Sequence, residues 1–116
     1  MWLVKEDALN ADPIVIEIWK DAEQVAGPGL CTSAHRPYII GDRPSVHNLL
    51  PTRGLDRRCR IEKVGIGIRD YINSRWQYDP RRPSKKCCIY HETKDENGQS
   101  KGFHLHFQGH PRTVRK

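Results

Sequence analysis

The 116-residue sequence has no uninterrupted apolar run near the roughly 18 residues that a membrane span requires, so no span is expected. Its opening, Met1–Trp2–Leu3–Val4–Lys5–Glu6–Asp7, lacks a basic flank followed by an apolar stretch. That argues against a secretory signal peptide and for a cytoplasmic protein. There is no Cys-x-x-Cys pair among Cys31, Cys59, Cys87 and Cys88, which excludes a zinc ribbon by spacing. Adjacent Cys87 and Cys88 would face opposite sides of a strand and could not share a metal there. Reduced, mostly buried thiols are expected instead. Internal repeats and low-complexity tracts are also missing. Apolar residues make up 36% of the chain against 29% charged, too few for two cores and enough for one. A single domain over residues 1–116 is therefore expected.

Charge is present but uneven. Residues 1–52 carry four Lys and Arg against seven Asp and Glu, while residues 53–116 carry sixteen against seven. Net −3 and net +9 together give the overall +6. A basic half attracts polyanions such as nucleic acid, anionic lipid or an anionic cell-wall polymer, and equally serves as a solvated surface.

Asp12–Pro13 reads as an N-cap followed by proline at the first helical position. Val15, Ile18, Trp19, Ala22, Val25 and Ala26 then recur at helical spacing up to Gly27–Pro28–Gly29. Leu30–Ser33 reads as a short strand and residues 34–52 as a long loop, the kind that is often functional. Leu55–Ile61 reads as a strand with Asp56, Arg58 and Arg60 on its polar face. A second helix carries Ile61, Val64, Ile68, Tyr71 and Ile72 on one stripe, weakened by Gly65 and Gly67. Runs Lys86–Thr93 and Lys101–Gln108 flank Asn97–Gly98, the strongest short-range hairpin signal. The expected fold is α+β, a small antiparallel sheet with two helices on one face and a C-terminal hairpin.

Hairpin register decides what the late residues can do. With Asn97–Gly98 as a two-residue loop, His104 lies opposite His91, His106 opposite Ile89, and Phe103 opposite Glu92. Phe103, Leu105 and Phe107 then share the core face, and His104, His106, Gln108 and His91 the other. A three-residue loop with a bulge would change that parity and bring Glu92 beside the histidines.

His104–Leu105–His106 alone also fits a solvated sheet face. Upstream lie Thr32–Ser33–Ala34–His35–Arg36–Pro37, Ser45–Val46–His47 and Arg53–Gly54–Leu55–Asp56–Arg57. A histidine at a loop–strand junction, an aspartate on the next strand and a histidine on a distant strand make a two-His, one-Asp metal set. Zinc accepts those donors tetrahedrally, and three protein ligands leave one position open, the mark of a catalytic site. Asp56 among arginines reads alternatively as an ion-pair partner of Arg53 or Arg58. His35 and His110 read as surface residues.

The order Thr-Ser-x-x-Arg, Ser-x-His, small residue-x-Asp and a late His-x-His resembles the zinc D-Ala-D-Ala carboxypeptidases and L-Ala-D-Glu endopeptidases. That family includes several bacteriophage endolysins, and the Hedgehog signalling domain shares the site. The resemblance spans about residues 13–110 through some fifteen positions. Trp76–Pro80 and Leu105–Pro111 are similar to small phage-type members. It implies His47, Asp56 and His106 as zinc ligands and His104 as a site residue contacting water or substrate. It implies Arg36 as the residue that binds a substrate carbonyl or carboxylate and stabilises the oxyanion, and Ser45 as a residue shaping the site. It further implies a metallopeptidase of peptidoglycan stem peptides, bacterial or phage-encoded, with the cell wall as partner.

The sequence departs from that family twice. His47 and Asp56 are nine positions apart where the family usually has seven. No Asp or Glu stands just before the last ligand to act as general base, which leaves His104, His91 or, in the other register, Glu92. Two other functions fit part of the pattern. His-hydrophobe-His on a strand also marks metal-dependent DNA nickases, with Tyr71 as the nucleophile and nucleic acid as a less expected partner. A non-catalytic zinc-binding phage structural or accessory protein is the third.

Overall fold

The computed structural model describes residues 2–3, 11–34, 39–41 and 43–116. The first helix, α1, runs Pro13–Ala26. Asp12 caps it, its Oδ1 accepting from the Ile14 N–H at 2.9 Å. Val15, Ile18, Trp19 and Ala22 form its buried stripe, but Val25 turns away and is 51% exposed. Gly27, at φ 77°, ends the helix in a conformation that suits glycine.

The remaining elements are β1 (Trp2–Leu3), β2 (Leu30–Ser33), β3 (Gly54–Arg58), α2 (Glu62–Arg75), β4 (Trp76–Gln77), β5 (Cys88–Lys94), β6 (Ser100–Gln108) and β7 (Val114–Arg115). Five strands form one sheet in the order β1-β2-β3-β6-β5, and β4 pairs with β7 separately. Every pairing is antiparallel except the short parallel edge of β1 on β2. The fold is α+β, as the sequence predicts.

Alternation along the central strands sorts the two faces. Leu55 on β3, Leu105 and Phe107 on β6 and Cys88 on β5 are all buried in one core with Val15, Ile18, Trp19, Ile68 and Ile72 of the helices. Trp19 meets Phe107 edge-on, with ring centroids 5.7 Å apart. The stripe on α2 is narrower than its periodicity suggests: Ile68 and Ile72 are buried, whereas Ile61 and Val64 are 65% and 45% exposed. Gly65 is no mere weakness, because a Cβ there would overlap the Tyr90 ring, so the glycine lets helix and strand approach. All four cysteines are buried, and burial pushes the Cys87 thiol up to about 12.

The hairpin reaches its register by two compensating steps. Asp95 N–H donates to the Gln99 carbonyl at 2.8 Å, leaving Glu96, Asn97 and Gly98 as a three-residue loop with Gly98 at φ 78°. Lys94 then pairs with Ser100, but Thr93 pairs with Gly102, so Lys101 is extruded as a bulge. From there inward the partners are those of a two-residue loop: His91 faces His104, Ile89 faces His106, and Glu92 faces Phe103.

An ion cluster built on one buried carboxylate fastens the C-terminal segment. The Asp79 carboxylate is fully enclosed and accepts from Arg112 Nη2 at 2.7 Å, Arg112 Nε at 3.0 Å and Arg82 Nε at 2.9 Å. Hydrogen bonds from Arg112 lead the causes that hold this carboxyl well below the usual carboxylate range. A lowered pKa stabilises the fold above the unfolded value of about 4 and loses that contribution as pH falls toward the folded one. Asp79→Asn is therefore expected to lower stability clearly at pH 7 and progressively less as pH drops below about 4. Urea unfolding of both proteins at pH 7 and pH 3 measures the difference, and an equal gap at the two pH values would contradict it.

Candidate metal centre

The face of the sheet away from the helices carries Asp56 and Arg58 on β3, His104, His106 and Gln108 on β6, and His91 on β5. Register places Asp56 beside His106 and Arg58 beside His104. The remaining ligand candidate comes from the long loop, where Val46–Asn48 forms one 3₁₀ turn. Ser45 caps that turn: its Oγ accepts from the His47 N–H at 3.2 Å, and its own N–H donates to Asn48 Oδ1 at 2.8 Å. Leu49–Pro51 run exposed or half-exposed before Thr52 returns to the interior, so the long His47–Asp56 spacing is absorbed at the surface.

His47, Asp56 and His106 converge, and together they could hold a metal ion. His47 Nε2 is 3.2 Å from Asp56 Oδ1 and 3.2 Å from His106 Nδ1, and His106 Nδ1 is 2.9 Å from the same carboxylate oxygen. The other nitrogen of each ring is already committed. His47 Nδ1 donates to the Ala34 carbonyl. A carbonyl only accepts, so Nδ1 carries the proton and Nε2 turns its lone pair to the centre. For His106 the argument runs through Gln108, whose amide nitrogen donates to the Lys86 carbonyl at 2.7 Å. That turns Oε1 toward His106 Nε2 at 3.1 Å and frees Nδ1. Hydrogen-bonding the far nitrogen is how proteins orient metal-binding imidazoles.

Two lone pairs and an anionic oxygen thus crowd one point. Burial raises the Asp56 pKa, but whenever the inward nitrogens are protonated, hydrogen bonds and charge from His106 and His47 outweigh it and keep the carboxyl well below its usual range. Such a cluster is neutralised by a shared proton or by a cation. Among the described residues Asp56 pairs with histidines and not with Arg53 or Arg58.

Gly54 completes the cradle. A Cβ there would lie 2.7 Å from Val46 Cγ2 and 3.1 Å and 3.2 Å from the His47 ring atoms Cε1 and Nδ1. Gly54→Ala is expected to displace His47 and weaken metal binding about 10- to 100-fold, the usual scale for losing an orienting contact. A competition titration with a chromogenic chelator reads this, with circular dichroism as the check on folding. Unchanged affinity would contradict it.

The centre forms the floor of an open cleft of about 730 Å³. His104 and His91 stand on its wall with ring centroids 4.1 Å apart, and His91 is 6.4 Å from His106. His104 Nδ1 contacts Thr93 Oγ1 at 2.8 Å, and its Nε2 lies 3.7 Å from Asp56 Oδ2. Burial leads the causes that lower the pKa of both imidazoles. Arg58, Arg60 and Lys101 also line the cleft.

Of the other expected site residues, Arg36 lies outside the described residues, as does His35. Glu92 reaches the cleft but faces Phe103 in register, its carboxylate 3.6 Å from Lys94 Nζ. Tyr71 packs against the core on the helix side, so the sheet separates it from His104 and His106. His110, expected at the surface, is half-buried beside Tyr78 at 5.6 Å between ring centroids. Sequence reasoning placed Gln108 on the right face but gave no role to Gln108, Thr93 or Gly54. Gln108 was within reach, because an amide two positions from a ligand on a strand shares its face. Thr93 needed the register and Gly54 the neighbouring loop. No family model matches the chain, and no curated protein or solved structure matches it.

Proposed function

We propose that the centre binds zinc and that the chain is a zinc-dependent, peptidase-like hydrolase of peptidoglycan stem peptides. The convergence of two oriented imidazoles and one carboxylate in an open cleft carries this reading. A tetrahedral zinc with bonds of about 2.0–2.1 Å sets its ligands about 3.3–3.4 Å apart. The three donor atoms here stand 2.9–3.2 Å apart. Calcium prefers six to eight oxygens and does not suit two imidazoles.

When bound, zinc supplies Lewis acidity toward water and a scissile carbonyl. The chain's own groups do the rest. His104 Nε2, next to Asp56, is the atom placed to take a proton and pass it to the leaving nitrogen. Thr93 and the edge-on His91 fix the orientation of that ring. Ser45 holds the turn that presents His47. By the family resemblance Arg36 steadies the developing oxyanion. The basic half of the chain favours docking on an anionic wall.

Purified peptidoglycan incubated with zinc-loaded protein is the test. Release of new free amino groups is expected, and it should be absent with Asp56→Ala. A flat release with the metal bound would overturn the hydrolase and leave a metal-stabilised, non-catalytic domain. The pairing of Glu92 with Lys94, away from the ligands, favours that second reading.

A further inference from the structure

The two histidine ligands are steadied by different means. His47 Nδ1 meets the Ala34 carbonyl, a backbone group, whereas His106 Nε2 meets a side chain, the amide oxygen of Gln108, at 3.1 Å. Gln108 is held by its own strand: it pairs with Gly54 on β3, and its N–H donates to the Cys87 carbonyl at 2.9 Å. Two positions along β6 it shares the face of His106. Its side chain then spans two groups of opposite demand, the Lys86 carbonyl, which only accepts, and the His106 ring nitrogen. Spanning them takes a donor and an acceptor on one planar group. Lys and Arg only donate, ionised Glu only accepts, and Asn is one methylene shorter.

A second cleft of about 360 Å³ opens beside His106 and is lined by Gln108, Arg43 and Lys85. Both cations only donate. Facing an unheld Nε2 they favour its lone pair, and the proton of the neutral ring then moves to Nδ1, inside the centre, where it blocks a metal. We infer that Gln108 is a positioning residue of the metal centre. Its oxygen keeps the proton on His106 Nε2 so that Nδ1 offers a lone pair, and its nitrogen ties that choice to the Lys86 carbonyl at the head of β5. A neutral amide orients the ring without making it as basic as a carboxylate would, which leaves a bound ion more of its charge. This role rests on the zinc part of the proposed function and not on the hydrolase chemistry.

Two substitutions test it. Gln108→Met removes the acceptor at nearly constant length, and Gln108→Glu restores an acceptor toward His106 while giving the Lys86 carbonyl nothing. Chelator competition reads zinc affinity, and the nitrogen NMR shift of His106 Nε2 in the metal-free protein reads where the proton sits. Circular dichroism checks folding. Gln108→Met is expected to weaken zinc binding about 10- to 100-fold, the scale of losing an orienting partner, and to move Nε2 from the proton-bearing toward the lone-pair form. Gln108→Glu is expected to hold zinc within about tenfold of the parent, with Nε2 still protonated. Unchanged affinity in Gln108→Met, equal losses in the two variants, or an unprotonated Nε2 in the parent overturns the role of Gln108. A proton on Nε2 that follows residue 108 in a protein that takes up no zinc sustains the role and overturns the zinc centre.

Discussion

Replacing Asp56 with alanine is expected to reduce bound metal from one equivalent to nearly none while the helices persist. The carboxylate is the single anionic donor of the three, and its oxygen lies within 3.2 Å of both imidazole lone pairs. Two neutral imidazoles without it make an incomplete set for a tetrahedral ion. Metal analysis of the purified variant measures the loss directly. A second readout follows from linkage, because an ion that binds only the folded chain stabilises it by about 2.7 kcal/mol at a hundredfold excess over Kd. A strong chelator should therefore lower the melting temperature of the parent protein and leave that of Asp56→Ala unmoved. A full equivalent of metal retained by the variant would refute the centre.

Trp19→Ala is expected to cost about 3–5 kcal/mol, the range for emptying a large aromatic from a packed core. Trp19 has no exposed surface and meets the Phe107 ring edge-on. Domains of this size commonly have about 5–15 kcal/mol in total, so this one change removes a large share. Phe107 adjoins His106 on β6, so loosening its packing should also weaken the metal centre from the far side of the sheet. Urea unfolding gives the first effect and metal titration the second. Trp19→Phe should recover most of both, and a loss under 1 kcal/mol for the alanine variant would contradict the role given to this contact.

Much of the fold was legible because the rules that made it are local. Asp12–Pro13 announces a helix start through a side chain that reaches two residues ahead. Alternation from His104 to Gln108 sorts core from cleft because successive strand residues point to opposite faces, whereas Phe103, expected on the core face, is 38% exposed and lines the cleft. The stripe on α2 is narrower than its spacing suggests: Ile61 and Val64 have the right spacing, but no described element lies over them. The hairpin is more instructive. Its loop is one residue longer than the two-residue turn, and only the bulge at Lys101 restores the register that sets His91 opposite His104.

The primary sequence determined the elements, the polar and apolar faces, and the residues that could serve as metal donors, since each depends on neighbours a few positions away. Tertiary structure alone decided that His47 meets Asp56 and His106, because loop and strand approach only where Gly54 leaves room. It also decided which ring nitrogen of each histidine faces inward. That choice belongs to Ala34, Gln108 and Lys86, groups brought into reach by folding and marked by no pattern along the chain.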